Sequence, residues 1–269
     1  MCHRYLHLVC GNVYVGVVMI KIVVPVSGGK DSQACLKMAV SEVGADHVLG
    51  LFCDTQFEHP LTYAHVKKLS KLYGVRIETV TAGSVDEKVL KYGRFPGGGA
   101  RHCTDELKIR PTKQYLSTLT HPVMVYYGMR TDESHERRER YAEKTNNELY
   151  QPHEIMPGKY PKYLAKRRIM FKLPILDWST AEVMDYLQGE HNPLYDVGMP
   201  RVGCFPCLAA GDRYKEQAFA HDDFGRSQRI RVRNLEDAIG KSIFTSKGGC
   251  QRNNPDQQVL FDGCGVCAI

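Results

Sequence analysis

Six successive residues, Ser27-Gly28-Gly29-Lys30-Asp31-Ser32, bring two adjacent glycines, one ammonium and two hydroxyls into a single turn. With so little side-chain bulk, backbone N–H groups can close on an anion, and a helix that starts at the end of the turn adds its N-terminal dipole. Phosphate gains most there, because Lys30 adds a cation to the backbone donors. A glycine pair alone would mark only a strand-to-helix turn; the whole run reads as a phosphate cradle. It is not a Walker A loop, which needs four residues between its glycines and Lys-Ser/Thr directly after them.

Other residues carry chemistry of their own. Asp54 ends an apolar run, and beside such a cradle its carboxylate suits a ribose or a metal ion. Arg130 follows Gly128-Met129 directly and suits a phosphate, with Ser134 or Arg137 helping. Cys103 stands among Arg94, Arg101, Lys108 and Arg110, a setting that lowers a thiol pKa and favours thiolate as nucleophile or metal ligand. A half-buried structural cysteine is the simpler alternative. Cys204 and Cys207 form a Cys-x-x-Cys pair, which means a metal edge or a redox pair in a reducing compartment. Cys264 and Cys267 repeat that spacing near the C-terminus, where a movable thiol can carry sulfur or, with Cys250, complete a metal site.

Strands must carry these groups to one rim. Ile20–Val26, His47–Asp54, Val75–Val80 and Pro122–Gly128 are short β-rich runs separated by helical stretches, the first after the Ser27–Ser32 turn and the second over Pro60–Tyr73. This alternation predicts an α/β fold with a doubly wound parallel sheet, whose ligands sit beyond the C-terminal strand ends. That rule brings the Ser27–Ser32 turn, Asp54 and Gly128–Arg130 together. Between the third and fourth runs, Arg94–Pro111 reads as a glycine-containing mobile loop with anion-facing cations. Asp132–Arg140 reads as a solvated helix face. Residues 145–168 read as a long irregular insertion whose Lys162, Lys166, Arg167 and Arg168 line a polyanion path or simply meet solvent. Ser179 with Glu182 is a capping box, so a helix begins there.

Composition narrows the class. With 269 residues, 43% of them hydrophobic, the chain can bury a full core; its formal charge of +6 suits a nucleotide or polyanion without requiring one. Ten cysteines without a leader pattern point to a reducing, cytoplasmic setting. The longest uncharged run, Leu6–Ile20, is too short for a membrane-spanning helix. Because Met19 directly precedes the first strand, residues 1–18 read as an extension.

Together the motifs resemble the phosphoadenosine-phosphosulfate reductase family of the PP-loop ATP pyrophosphatases, which includes DNA-phosphorothioation sulfurtransferases. The resemblance rests on SGGKDS, Arg101-His102-Cys103-Thr104, Gly128-Met129-Arg130, Leu176-Asp177-Trp178, Asn192-Pro193-Leu194-Tyr195 and Gly203-Cys204 with Cys207. It implies an adenine nucleotide α-hydrolase-like fold: an extension at 1–18, a PP-loop nucleotide-binding domain at 19–200 and a smaller Cys-rich region at 201–269. It also implies adenine nucleotide on Ser27, Gly28, Gly29, Lys30, Asp31, Ser32, Asp54 and Arg130, and Mg²⁺ near Asp31 or Asp54. In the iron–sulfur members, cysteines at the positions of Cys103, Cys204 and Cys207 hold a [4Fe–4S] cluster, with zinc as the second choice here. Those members carry Cys-Cys where this chain has His102-Cys103, so the fourth ligand falls to Cys250, Cys264 or Cys267. Lys30 suits the β- and γ-phosphates of ATP, which favours an ATP-dependent sulfurtransferase served by a donor such as a cysteine desulfurase, with DNA or tRNA as acceptor. Lys30, Arg130 and Cys264 are then its catalytic residues. The runner-up is a sulfonucleotide reductase whose Cys264 thiolate attacks the sulfur; a non-enzymatic nucleotide- or metal-binding module is the third class.

Overall fold

The computed structural model describes residues 19–97 and 101–244. The expected extension at 1–18 and the thiols Cys250, Cys264 and Cys267 lie outside the described residues. Five strands, β1 (Ile22–Val26), β2 (Val48–Asp54), β3 (Arg76–Thr81), β4 (Val123–Tyr126) and β5 (Ile169–Lys172), form one sheet in the order β3-β2-β1-β4-β5. Every pairing is parallel, as between Val24 and Gly50 or Val125 and Phe171. The order reverses between β1 and β4, which makes their C-terminal ends the expected ligand crevice.

Helices cover both faces because the central strands are apolar on both sides. Ile22, Val24 and Val26 pack on α1 (Lys30–Val43), α2 (Pro60–Leu72) and α9 (Thr180–Leu187) through Ala34, Leu36, Leu69 and Val183. Val23, Leu49, Leu51 and Val125 face the other way, onto Leu116, Tyr150, Tyr160 and Leu164. A third cluster joins Phe57, Val85, Val89 and Leu107 to Phe219, Val232 and Leu235. It packs α3 (Val85–Tyr92) against α10 (Asp212–His221) and α11 (Asp223–Ile239). Among the described residues, no helix is long and apolar enough to cross a membrane.

Two expected irregular segments are ordered otherwise. His102–Thr118 is helical: α4 (His102–Thr104), a π-helical stretch over Asp105–Ile109, then α5 (Arg110–Thr118). Buried Leu107, Ile109 and Leu116 provide the apolar face that the glycines upstream obscure. After α6 (His135–Arg140), the expected long insertion contains α7 (Pro152–Ile155) and α8 (Tyr163–Lys166), and Tyr150 bridges Phe171 beside β5. Buried Ile155, Tyr160 and Leu164 tether it to the sheet.

Candidate active site

The cradle forms where β1 meets α1, and two glycines allow it. Gly28 has φ of +78°, and a Cβ there would stand 2.6 Å from Thr62 Cγ2. Gly128, just beyond β4, lies so close to α1 that its Cβ would be 2.8 Å from the Asp31 carbonyl. The turn is laced internally: the Ser27 N–H donates to Ser32 Oγ at 3.1 Å and the Ser32 hydroxyl donates to Gly29 O at 2.9 Å. The segment after α9 lies over the turn. Fully buried Asn192 donates to Gly28 O at 3.2 Å, and the Lys30 N–H donates to the Tyr195 hydroxyl at 3.1 Å. Tyr195 thus holds a helix N-terminal amide that an anion would seek. Burial raises the Tyr195 pKa, so the group stays protonated.

Beside the turn opens a cavity of about 430 Å³. Ser27, Gly29, Lys30, Asp31, Ser32, Arg130, Arg137 and Arg201 line one side, Val26, Leu51, Tyr127 and Met129 its apolar wall, and Cys53, Glu58 and Lys108 its far part. Lys30 is 8% exposed; burial lowers its pKa, with Arg130 and Arg201 acting in the same direction and Asp31 opposing. Arg130 is 2% exposed and largely committed. Its Nε donates to Asp31 Oδ1 at 2.7 Å, Nη1 to Asp132 and to Trp178 O, and Nη2 to Thr180 Oγ1. The expected phosphate contact is therefore first of all a strut between α1 and α9. Arg137 is buried rather than on a solvated helix face; it pairs with Glu133, and burial lowers its pKa to about 10.

Cys53 lines the cavity itself, and Cys204 stands behind Glu58. A backbone bridge between Glu58 and Cys204, with Phe205 N–H donating to Phe57 O at 2.7 Å, carries the Cys-x-x-Cys to the end of β2. Cys204 Sγ lies 3.3 Å from Thr55 Oγ1 and 3.8 Å from Glu58 Oε1. Glu58 is buried and accepts from Thr55 Oγ1 at 2.7 Å, from the Thr55 and Phe57 amides and from Tyr63. Lys108 is kept charged by the Cys204 sulfur first, then by Glu58, Cys103 and Cys207, against the cost of burial. Burial pushes the Cys204 thiol up to about 12 despite Lys108. Cys103 is also raised, because burial and Cys207 outweigh the nearby Lys108 and Arg101. The expectation that neighbouring cations would leave Cys103 a thiolate is corrected by that burial.

Several expected positions are thus drawn together: the cradle, Arg130, and, around Lys108, Cys103, Cys204 and Cys207. Asp54 is not among the cavity-lining residues, and its Oδ1 accepts from the Gln56 N–H at 2.8 Å and from Tyr63 OH at 2.7 Å. Asp31 is held by Arg130 on one oxygen and by Lys30, at 3.4 Å, on the other. Both Asp31 oxygens are thus paired with cations, whereas Asp54 Oδ2 has no partner among the described residues. Among the described residues, no three His, Cys, Asp or Glu side chains are placed to hold a metal ion, so the thiol set does not by itself fit a [4Fe–4S] cluster or zinc. The Lys108 ammonium already supplies a positive charge in the field of those sulfurs. Sequence reasoning gave no role to Glu58, Cys53 or the Tyr195 hydroxyl. Glu58 comes in through its backbone bridge to Cys204, which leaves no local sequence signal, whereas Tyr195 belongs to the Asn192-Pro193-Leu194-Tyr195 motif, whose role over the turn only the fold reveals.

The family described as phosphoadenosine phosphosulfate reductase domain matches residues 21–210. An uncharacterized protein of Methanocaldococcus jannaschii is 30% identical over 192 residues, covering 70% of this chain but 36% of that protein, so this chain spans little more than a third of that relative. Adenosine 5'-phosphosulfate reductase of Geobacillus kaustophilus is 26% identical over 180 residues, 63% of this chain and 66% of that protein. Among solved structures, phosphoadenylyl-sulfate reductase from Candida auris in a phosphate complex aligns with a TM-score of 0.43 at 17% identity, covering 71% of this chain and 83% of that one.

Proposed function

The chain belongs to the phosphoadenosine phosphosulfate reductase domain family, and from that premise we propose that it is an ATP-dependent sulfurtransferase acting on a nucleic-acid acceptor. The observation that carries this reading is a cavity lined both by the Lys30 cradle and by Glu58 and Lys108, with Cys204 Sγ 3.8 Å from Glu58 Oε1. The Ser27–Ser32 turn and Lys30 hold the β- and γ-phosphates, and Arg137 and Arg201 offset their charge. Mg²⁺ bound with the triphosphate would neutralise phosphate charge, and Asp54 Oδ2 would be the carboxylate oxygen open to it. An acceptor oxygen attacks the α-phosphorus, the bond to the β-phosphate breaks, and pyrophosphate leaves.

Sulfur then displaces AMP. A cysteine desulfurase-type donor supplies it as a persulfide on Cys204, with Cys264 as the delivering thiol. The terminal sulfur bonds the acceptor carbon as the carbon–oxygen bond to AMP breaks. A second thiol, Cys207 or Cys103, attacks the Cys204 sulfur, which frees the thiolated acceptor and leaves a disulfide for an external dithiol to reduce. Thr55 and Glu58 orient Cys204, and Lys108 balances the persulfide anion.

The Geobacillus kaustophilus relative, an adenosine 5'-phosphosulfate reductase, favours a second reading, in which a thiolate attacks a sulfonucleotide and sulfite leaves. Incubating the full chain separately with ATP plus acceptor and with each sulfonucleotide distinguishes them: pyrophosphate release supports the first, sulfite release with inert ATP the second.

A further inference from the structure

The net charge of the chain is concentrated on one short stretch. Residues 157–176 contain Lys159, Lys162, Lys166, Arg167, Arg168 and Lys172 without one Asp or Glu, which equals the formal +6 of the whole chain, so the remainder sums to zero. Two of these cations pair with carboxylates, Lys159 with Asp105 at 2.5 Å and Lys172 with Glu42 at 3.3 Å. Lys162, Lys166 and Arg168 are exposed, and none of the three pairs with an acidic side chain among the described residues.

Helix α5 extends this face towards the cavity. Ser117 Oγ lies 3.2 Å from Tyr163 OH, and Arg167 donates to Ser117 O. Lys113 is one turn before Ser117 on the same side of α5, and its neighbour Thr112 lines the cavity. Nine residues of helix span about 13 Å, so the cationic face and the nucleotide cavity are neighbours. Among the cations stands Tyr163, 46% exposed, while Leu164 beside it is buried in the core.

We propose that α5 and α8 form a docking face for single-stranded nucleic acid, with Lys113, Lys162 and Lys166 on phosphates and the Tyr163 ring stacked on a base. This rests on the reading of the acceptor as a nucleic acid. A ring exposed among cations suits unpaired bases, whereas bases in a duplex are already stacked. A membrane surface would need apolar anchors beside the cations, and α8 turns its leucine inward.

Direct titration of the full chain, without nucleotide, into labelled oligouridine, oligodeoxyuridine, a duplex and anionic vesicles tests this. Single strands should bind most tightly, and the tighter of the two names the sugar. The Lys162→Gln/Lys166→Gln variant should lower the slope of log affinity against log salt by about 0.7 per charge. Tyr163→Ala should weaken binding about tenfold, and Tyr163→Phe should retain it. ATP binding measured on each variant confirms the fold. An unchanged salt slope, a neutral Tyr163→Ala, or preference for vesicles or duplex overturns the proposal. Failure of ATP to yield pyrophosphate would instead overturn the sulfurtransferase reading, since the titration contains no ATP.

Discussion

Lys30 presents two donors to an anion, and the structure treats them differently. Its ammonium is buried beside Asp31 and faces the cavity, while its N–H is occupied by the Tyr195 hydroxyl. Removing the ammonium removes a charge-assisted contact worth on the order of 1.5–3 kcal/mol, so Lys30→Ala should weaken ATP binding roughly tenfold to a hundredfold by calorimetric titration. Tyr195→Phe should act the other way. Without the competing hydroxyl, a phosphate oxygen meets a free amide, and affinity should rise by roughly threefold to tenfold in the same assay, the net value of a neutral hydrogen bond. Weaker binding in that variant would mean that the hydroxyl touches the ligand itself. Arg130 illustrates what residue type alone leaves out. A strand-end arginine next to a phosphate cradle invites a phosphate contact, yet desolvation at 2% exposure demands internal acceptors, and Asp31, Asp132, Trp178 and Thr180 supply them.

At the scale of elements, the active rim depends on how closely β4 approaches α1. Gly128→Ala would push a methyl group against the Asp31 carbonyl, which is backbone and cannot swing aside. It should cost about 1–3 kcal/mol in denaturant unfolding and displace the cradle, with weaker ATP binding. A second junction holds α3 against the π-helical stretch. Glu106 accepts from Tyr92 and pairs with Lys88 and Lys91 at 3.3 Å, contacts that lower its pKa to about 2. A carboxylate depressed on folding stabilises fully above its unfolded pKa of about 4.3 and loses that stabilisation as pH falls towards 2. Unfolding at pH 7 and pH 3 should therefore show the wild type losing about 1–2 kcal/mol more than Glu106→Gln, the size moderated because Lys91 is 57% exposed. These elements also show what the sequence made legible. Strands β1 to β4, α1, α2 and the Ser179 cap were readable because period, length and turn residues agree there. Strand β5 was not, since Ile169–Lys172 is short and follows a basic run, and α5 was hidden behind glycines that suggested a loop. The cradle was legible as a contiguous motif, whereas Glu58, Lys108 and Cys204 meet only through long-range backbone pairing.

For the whole molecule, the described part of the region after residue 200 is packed into the rest through a shared apolar cluster. Arg231 on α11 donates to Asp86 at 2.7 Å and to Gln56 O at 3.0 Å, and His59 meets Asp222 at 2.8 Å. These ties hold the helices that follow Cys207 against the end of β2, which keeps Cys204 beside the cavity next to Glu58. That arrangement makes one measurement decisive. The full chain is given ATP, a persulfide-generating donor with labelled sulfur and a single-stranded nucleic acid, and both pyrophosphate and acceptor-bound label are followed in the wild type, Lys30→Ala and Cys204→Ala. An ATP-dependent sulfurtransferase gives both products in the wild type, neither in Lys30→Ala, and pyrophosphate without labelled acceptor in Cys204→Ala. Wild-type protein that leaves ATP intact while releasing sulfite from a sulfonucleotide is a reductase instead.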